Sequence, residues 1–212
     1  MAVYDLEEQE QIDEIKAWWK QYRALVVLVV VAAAATVGGM RGWSHYQTNQ
    51  GLDAGKLYEQ LQGAVGANEP KRVLDIAKEI TDRYPRTGYA TFAALAAAKA
   101  AFESGDLASA KTRLQWAMDN ARDTETRDIA RLRFAAVLLD EKKYDDALKL
   151  LETGHVDTLS ALYADLKGDL LVAQGKPQEA RTAYQAALDK SETKSTYRAL
   201  IQIKLDALGA AR

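Results

Sequence analysis

Few side chains in this sequence have the type and spacing that chemistry requires. Asp165 and Asp169 are four residues apart, which places both carboxylates on one face of a helix. Paired carboxylates can act as general acid and base, but two acids on an exposed helix face are usually solvated. The two histidines, His45 and His155, are too far apart for a local metal motif. Because His155 follows Gly154, a typical helix end, we expect it to cap that end or to face solvent.

Catalytic sequence motifs are absent as well. The chain contains no HExxH zinc motif, no GxSxG nucleophile motif and no GxxxxGK[ST] phosphate-binding loop. The lack of cysteine excludes disulfides, thiol catalysis and cysteine-ligated zinc or iron–sulfur centres. The acidic residues between Asp5 and Asp13 do not have the spacing of a calcium-binding loop. We therefore predict a protein without enzymatic activity, bound metal or cofactor.

The composition is typical of a helical, globular protein. The 212 residues include 28 Lys and Arg against 30 Asp and Glu, so no basic excess indicates a nucleic-acid partner. Charged residues at 27% and hydrophobic residues at 48% argue against a wholly disordered chain. Only three prolines occur and residues of high helix propensity are abundant, which predicts an all-α fold.

Charge divides the chain into an acidic tail at residues 1–23, an apolar segment at 24–43 and a neutral domain at 44–212. No charged residue occurs from Ala24 to Met40. Tyr22 and Trp43 bracket this run, and their separation corresponds to about 31 Å of helix, the thickness of a bilayer's hydrocarbon core. We predict a single N-terminal transmembrane helix in a lipid bilayer. A buried core helix and a cleaved signal peptide are the alternatives.

Basic residues predict the orientation of this helix in the membrane. Lys16, Lys20 and Arg23 precede the uncharged run, whereas Arg41 is the only Lys or Arg between Met40 and Lys56. Cytoplasmic flanks carry the excess of Lys and Arg in membrane proteins. The distribution therefore places the N-terminus in the cytoplasm and the large domain on the opposite side.

One face of the apolar segment has the pattern of a helix-packing surface. Ala34, Gly38 and Gly42 recur every four residues, and Gly38 with Gly42 forms a GxxxG pair. Small residues at this spacing let another helix approach closely in lipid. The alternative is that glycine is simply frequent in membrane helices.

The sequence on both sides of the span predicts a continuous helix. Before the span, Ile12, Ile15, Trp19 and Tyr22 form one apolar stripe at helical spacing, as expected for an amphipathic helix at a membrane interface. After it, residues 43–65 contain only glycines as helix breakers. We expect the membrane helix to continue through them into the domain.

Four segments of the domain repeat one pattern. Each has a turn with a glycine or polar residue, a small residue five positions later and then a helix, with equivalent positions at Val73, Ala110, Ala147 and Ala180. Their separations of 37, 37 and 33 residues are close to the period of about 34 residues in tetratricopeptide repeats. We predict a tetratricopeptide-like α-solenoid with a C-terminal capping helix at Thr196–Ala211. An irregular helical bundle is the alternative.

A solenoid of this kind binds partners with the concave face that the first helix of each pair lines. In the frame of the repeat, that face would accommodate an extended or helical peptide. The same side chains could instead fill the core, because a frame shift of one residue exchanges the two roles. The predicted groove residues are Phe92, Leu95, Lys99 and Phe102 in the second pair, Ile129, Leu132 and Leu139 in the third, and Leu162, Asp165, Asp169 and Val172 in the fourth.

The order of these parts resembles one bacterial family. The tail EEQ…IKAWWKQY, the single span, the aromatic stretch GWSHYQ, the segment KGDLLVAQGKPQEARTAYQAAL and the terminal IQIKLDAL are similar to the YfgM-like ancillary subunits of the SecYEG translocon. The resemblance covers essentially the whole chain. It implies a bacterial inner-membrane protein with its repeats in the periplasm, without catalytic residues. It also implies association with SecYEG and with PpiD, a membrane-anchored periplasmic chaperone.

Two classes of function remain open at this point. The first is a translocon-associated adaptor that assists secreted or membrane proteins leaving the channel, with unfolded client polypeptides as candidate partners. The second is a membrane-anchored scaffold of another cell-envelope complex, or a regulator that acts through the cytosolic tail. Crosslinking from the concave face separates these classes.

Overall fold

The computed structural model describes the backbone of residues 2–192 and 195–210 and the side chains of residues 11–192 and 195–209. All regular structure within these residues is helical, with no strand, which confirms the predicted all-α class. The acidic side chains at positions 5–10 and Ala211, the last residue of the predicted capping helix, lie outside this description.

Short loops connect the helices, and a 3₁₀ turn at Asp157–Leu159 leads into the seventh. The helices are α1 (Ala2–Gly66), α2 (Pro70–Arg83), α3 (Gly88–Glu103), α4 (Leu107–Asn120), α5 (Thr124–Asp140), α6 (Tyr144–Leu151), α7 (Ser160–Ala173), α8 (Pro177–Lys190) and α9 (Thr196–Ala210).

Helix α1 contains the predicted membrane segment and continues through residues 43–65, as expected. The chain forms two compact units, residues 1–50 and residues 51–212. In the first unit the apolar segment is not buried, which argues against a core helix. Among the described residues it is the one helix long and apolar enough to cross a membrane.

The second unit is a stack of helix pairs. The end of α1 packs on α2 and α3 through Leu61, and α3 then pairs with α4, α5 with α6 and α7 with α8. The first helices of successive pairs, α3, α5 and α7, also contact one another, as they do in a tetratricopeptide solenoid. At the end of the stack α9 packs on α8 through the buried Ile201. This arrangement confirms the predicted capping helix.

The same turn joins the two helices of every pair. Its central residue has a positive φ, and the four equivalents are Asn68, Gly105, Lys142 and Gly175. In each turn this residue donates its N–H to the carbonyl three residues back, and the next residue donates to the carbonyl five back. This is the Schellman pattern that ends helices. Each positive-φ residue precedes its repeat's small residue by five positions, so the repeat visible in the sequence is the repeat of this turn.

Small side chains at the helix crossings let the pairs pack closely. Val73, Ala110, Ala147 and Ala180 are all buried, as the repeat pattern predicts. The crossing of α7 and α8 leaves no space at Gly168, where an added Cβ would lie only 2.3 Å from the ring of Tyr184.

Candidate functional site

Helix α3 carries most of the predicted peptide groove. Nine of its residues are buried, mainly alanines that pack against α2 and α4, and this burial fixes which face remains outside. Phe92, Lys99 and Phe102 lie on the exposed face. Phe92 and Phe102 are 46% and 38% exposed, values that are high for aromatic side chains in a folded domain. The peptide-binding role of this face remains a prediction.

The structure corrects the predicted position of Leu95. Its side chain is only 7% exposed and packs in the core cluster with Leu114 and Val137. With 3.6 residues per turn, the position that follows Phe92 on the same face is closer to Ala96 than to Leu95. Ala96 is the partly exposed residue at that point of the helix. Leu95 therefore belongs to the core and not to the surface.

Helix α5 contributes differently from the sequence-based expectation. Ile129, Leu132 and Leu139 are half-buried and pack against the core cluster of α5, α6 and α7. The side chains of α5 that line the space beside α3 are instead Arg133, Ala136 and Val137, none of which the repeat frame selected. In the sequence, Arg133 could have been identified as a candidate because it is a basic residue among apolar positions.

A cavity of about 360 Å³ lies between α3 and α5, and we call it the basic cavity. Two of its lining side chains are positively charged and none is negatively charged. The remaining lining residues are apolar. The full lining is Ala98, Lys99, Phe102, Leu114, Arg133, Ala136 and Val137.

A second cavity of about 220 Å³ lies on the other side of α3, against the turn between α1 and α2, and we call it the turn cavity. Glu69 of the turn and Glu103 of α3 contribute carboxylates to its lining, and Val65 and Val73 contribute apolar surface. Lys99 lines both cavities. The exposed face of α3 thus separates two adjoining depressions of different charge.

An aromatic cluster lies near the start of α3. The ring of Tyr58 in α1 lies 5.4 Å from the ring of Tyr89 and 6.4 Å from that of Phe92, measured between centroids. Gly55 lies against this cluster, and a Cβ there would lie 3.4 Å from the Tyr89 ring, at ordinary contact distance. The repeat frame missed Tyr58 and Tyr89, since their approach depends on how α1 packs on α3.

The fourth pair does not contribute an acidic groove, because its two carboxylates bind the capping helix. Lys204 of α9 lies 2.9 Å from Asp165 and 2.8 Å from Asp169. The hydroxyl of Tyr197 donates to Asp165 at 2.8 Å, and that of Tyr184 donates to Asp169 at 2.7 Å. Asp165 is only 6% exposed. The expectation that these acids are solvated was wrong, because α9 covers them.

The same contacts shift the pKa values of the groups around the two carboxylates. Burial disfavours the charge of Lys204, but its hydrogen bonds to Asp169 and Asp165 outweigh that cost and raise its pKa. Burial and the adjacent carboxylates raise the pKa of Tyr184 and of Tyr197 far above the ordinary value. All three groups therefore stay protonated in the folded protein at neutral pH.

A second buried carboxylate fastens the loop between α6 and α7. Asp128 is 1% exposed and accepts hydrogen bonds from Arg131 at 2.7 Å and from the backbone N–H of Val156 at 2.9 Å. Tyr163 donates to the Asp128 carbonyl at 2.8 Å, and His155 stacks on the Tyr163 ring at 4.0 Å. His155 is thus a half-buried part of this loop and neither caps α6 nor lies in open solvent.

The polar side chains with the strongest resemblance to a catalytic pair therefore stabilise the fold. Within residues 11–192 and 195–209, no three His, Asp or Glu side chains are placed to hold a metal ion. On α1, Ala34, Gly38 and Gly42 are exposed, and the space around both glycines is open. Their role in helix packing remains a prediction.

Similarity to known proteins identifies the family. Residues 16–210 match the tetratricopeptide repeat-like domain. A protein of Neisseria gonorrhoeae named ancillary SecYEG translocon subunit is 30% identical over 204 residues, which cover 96% of this chain and 98% of that protein. The chain belongs to the ancillary SecYEG translocon subunit family. Proteins of the same name in Haemophilus influenzae and Escherichia coli are 30% and 27% identical, over 87% and 98% of this chain and 90% and 99% of their own lengths.

Solved structures confirm the fold of this chain. The MamA fragment 41-end from Desulfovibrio magneticus RS-1 superposes with a TM-score of 0.54 at 23% identity, covering 75% of this chain and 89% of that one. A MamA RS-1 double mutant gives a TM-score of 0.55 at 20% identity, over 74% of this chain and 88% of its own. At this identity the likeness concerns the fold alone.

Proposed function

We propose that this protein is a membrane-anchored adaptor. It associates with SecYEG and with a PpiD-like periplasmic chaperone, and it assists secreted or membrane proteins as they leave the channel. Support comes from the similarity to ancillary SecYEG translocon subunits over nearly the full length. The observation that carries peptide binding is the pair of exposed rings, Phe92 and Phe102, on the face of α3 that adjoins the basic cavity. Exposed aromatic surface beside a cavity is what a docked peptide buries.

The proposed topology places the apolar segment of α1 in the bacterial inner membrane, with the N-terminus in the cytoplasm and the repeats in the periplasm. Lys16, Lys20 and Arg23 before the segment support this orientation. Anchoring confines the repeats to the surface from which translocated chains emerge. A tethered site encounters its ligand at an effective concentration far above that of a free protein, so even a weak groove can act on emerging chains.

The small-residue face of α1 supports a second contact, with a transmembrane helix of the partner complex. Ala34, Gly38 and Gly42 would let that helix approach closely. Gly38→Leu is expected to weaken detergent-stable association, because leucine holds the helices apart. Gly39→Leu is the matched control, since Gly39 lies off this face and also has open space around it. Equal co-purification of both variants with SecYEG would remove the proposed contact.

The direct test of the adaptor is purification of the full-length protein in mild detergent, with quantification of co-eluting SecYEG and PpiD-like chaperone. Phe92→Glu places a charge on the exposed face of α3 and is expected to reduce partner recovery while helicity by circular dichroism is retained. Leu200→Glu is the control, since Leu200 is exposed to a similar extent, 48% against 46%, but lies on α9.

Three results, from the purification, from the folding of the variant and from a deletion of the tail, would contradict the proposal or part of it. Recovery of cell-wall machinery in place of SecYEG favours the scaffold of another envelope complex. Unfolding of the Phe92→Glu variant shows that the ring belongs to the core, so the groove assignment is wrong. Loss of function on deleting residues 1–15, with the repeats intact and partners still bound, favours a regulator that acts through the cytosolic tail.

A further inference from the structure

We propose that the basic cavity between α3 and α5 selects peptide segments in which an acidic side chain is flanked by apolar ones, and that Arg133 is the residue that sets this preference. The inference rests on the proposed peptide-binding function of the α3 face and names the chemistry of its ligand. It assigns a role to Arg133, which the repeat pattern did not select.

The charges that line the basic cavity are all positive. Lys99 and Arg133 are its two charged lining residues, and five apolar residues form the rest. Within the described part of the chain, Arg133 has no ion-pair partner within 4.0 Å and no hydrogen bond. Lys99 has only Glu103, at 3.6 Å, and both side chains are more than half exposed. The cavity therefore offers a largely uncompensated positive charge to a ligand.

The apolar part of the lining adds a second requirement. A free anion would leave the exposed ring of Phe102 uncovered, whereas an apolar peptide without charge would leave Arg133 without a counter-charge. A carboxylate carried next to apolar side chains satisfies both halves of the cavity. Charge complementarity and apolar burial thus point to the same ligand.

The position of Lys99 favours an acidic side chain within a segment over a C-terminal carboxylate. Lys99 lines the basic cavity on one side of α3 and the turn cavity on the other. Phe92, two helical turns from Lys99, adds exposed apolar surface along the same face, about 10 Å away at 1.5 Å per residue. A chain that covers this surface crosses α3 and continues past Lys99 on both sides. Its acidic group at the basic cavity is therefore an internal side chain.

The expected preference is modest, because both cations are partly solvated. Exposed ion pairs contribute little, so a glutamate is expected to improve affinity by about fivefold over the isosteric glutamine. The preference is also expected to shrink as salt is added, since screening acts on exposed charges.

The test measures binding of fluorescent peptides to the full-length protein in detergent micelles by anisotropy. Three apolar peptides with blocked ends carry a central Glu, Gln or Lys. A fourth peptide carries the central Gln and a free C-terminal carboxylate. The wild type is expected to bind the Glu peptide about fivefold more tightly than the Gln peptide. Arg133→Gln is expected to lose most of this preference, and Arg133→Lys is expected to retain it. The control is Arg86→Gln, which is expected to leave the preference unchanged because Arg86 is exposed and lines neither cavity.

The outcomes separate this inference from the function on which it rests. Equal binding of the Glu and Gln peptides, abolished by Phe92→Glu, overturns the acid preference and leaves the peptide groove intact. A gain from the free C-terminal carboxylate without a gain from Glu shows that the cavity recognises chain ends, which also overturns the inference. No binding of any peptide to the folded wild-type protein overturns the groove and the acid preference together. An equal loss with Arg86→Gln shows that general charge, and not Arg133, sets the preference.

Discussion

The close approach of α7 and α8 rests on one missing side chain. Gly168 faces the ring of Tyr184, whose hydroxyl is in turn held by Asp169 at 2.7 Å. The ring cannot move away from a new methyl group without giving up that hydrogen bond. The crossing of α7 and α8 therefore depends on glycine at this position.

Gly168→Ala is expected to lower the free energy of unfolding by about 1–3 kcal/mol, because the added methyl group overpacks the crossing. Gly63→Ala is the matched control, since Gly63 lies in a helix with open space around it. That substitution is expected to raise the free energy of unfolding by about 0.5–1 kcal/mol through helix propensity. Urea denaturation followed by circular dichroism measures both values, and a stabilising Gly168→Ala would contradict the packing described above.

Attachment of α9 is expected to weaken at alkaline pH. The pKa values of Lys204, Tyr184 and Tyr197 are all raised in the folded protein, by hydrogen bonds to the carboxylates for the lysine and chiefly by burial for the tyrosines. Their stabilisation is therefore complete below the ordinary values of 10.0 for tyrosine and 10.5 for lysine. It is lost as the pH rises above those values, because the unfolded chain then releases protons that the folded chain retains.

The measurement is the thermal midpoint between pH 8 and pH 12 for the wild type and for Tyr197→Phe. The variant removes one titrating hydroxyl while Lys204 remains paired with Asp165, so its midpoint should decline less steeply above pH 10. Parallel declines of the two proteins would show that Tyr197 does not contribute to the alkaline limb.

The role of Asp165 and Asp169 lay outside what residue spacing can predict. Their spacing correctly placed both on one face of α7. Their partner Lys204 lies 39 and 35 positions further along the chain, on an element whose docking the helical period does not encode. The same limitation hid the contact between Asp128 and the backbone of Val156, which spans 28 positions.

At the scale of elements, the turn inside each pair determines the repeat. Two of the four turns use glycine at the positive-φ position, while Asn68 and Lys142 occupy it in the others with φ of 54° and 60°. A lysine in this conformation brings its Cβ close to the following carbonyl oxygen, which costs about 1–2 kcal/mol. A glycine avoids this cost, but it loses more backbone entropy on folding, which offsets part of the gain. The third pair is thus held together despite an unfavourable turn residue.

Opposite substitutions test this view of the turns. Lys142→Gly is expected to raise the free energy of unfolding by up to about 1 kcal/mol, and Gly175→Ala to lower it by about 1 kcal/mol. Lys142 is exposed and makes no ion pair among the described side chains, so lost contacts do not complicate the comparison. Chemical denaturation gives both values. A destabilising Lys142→Gly would show that the side chain contributes more than its backbone conformation costs.

The elements themselves were largely predictable, whereas their rotation about their axes was not. Repeat spacing located the turns and the small buried residues, and the uncharged run located the apolar part of α1. The assignment of Leu95 to the surface failed because neighbouring positions on a helix differ by about 100° in direction. In α3, where most side chains are alanine, hydrophobicity does not distinguish the core face from the exposed one.

At the scale of the whole molecule, an apolar helix and a domain with an exposed aromatic face belong to one chain. The order of these parts, rather than any single motif, pointed to the ancillary SecYEG translocon subunit family, and the similarity over nearly the full length confirmed it. The face that we propose for peptides needed side-chain positions, because Arg133 and Tyr58 reach it from other helices than α3. Anchor and face together define the proposed adaptor.

The most direct test is site-specific photocrosslinking in intact cells during export of a known secreted precursor. A photoreactive phenylalanine at position 92 samples the exposed face of α3, and the same residue at position 200 on α9 is the control. The adaptor predicts adducts with the arrested precursor, with SecYEG or with the periplasmic chaperone from position 92, and fewer from position 200. Adducts confined to cell-wall machinery, or equal yields from both positions, would contradict it.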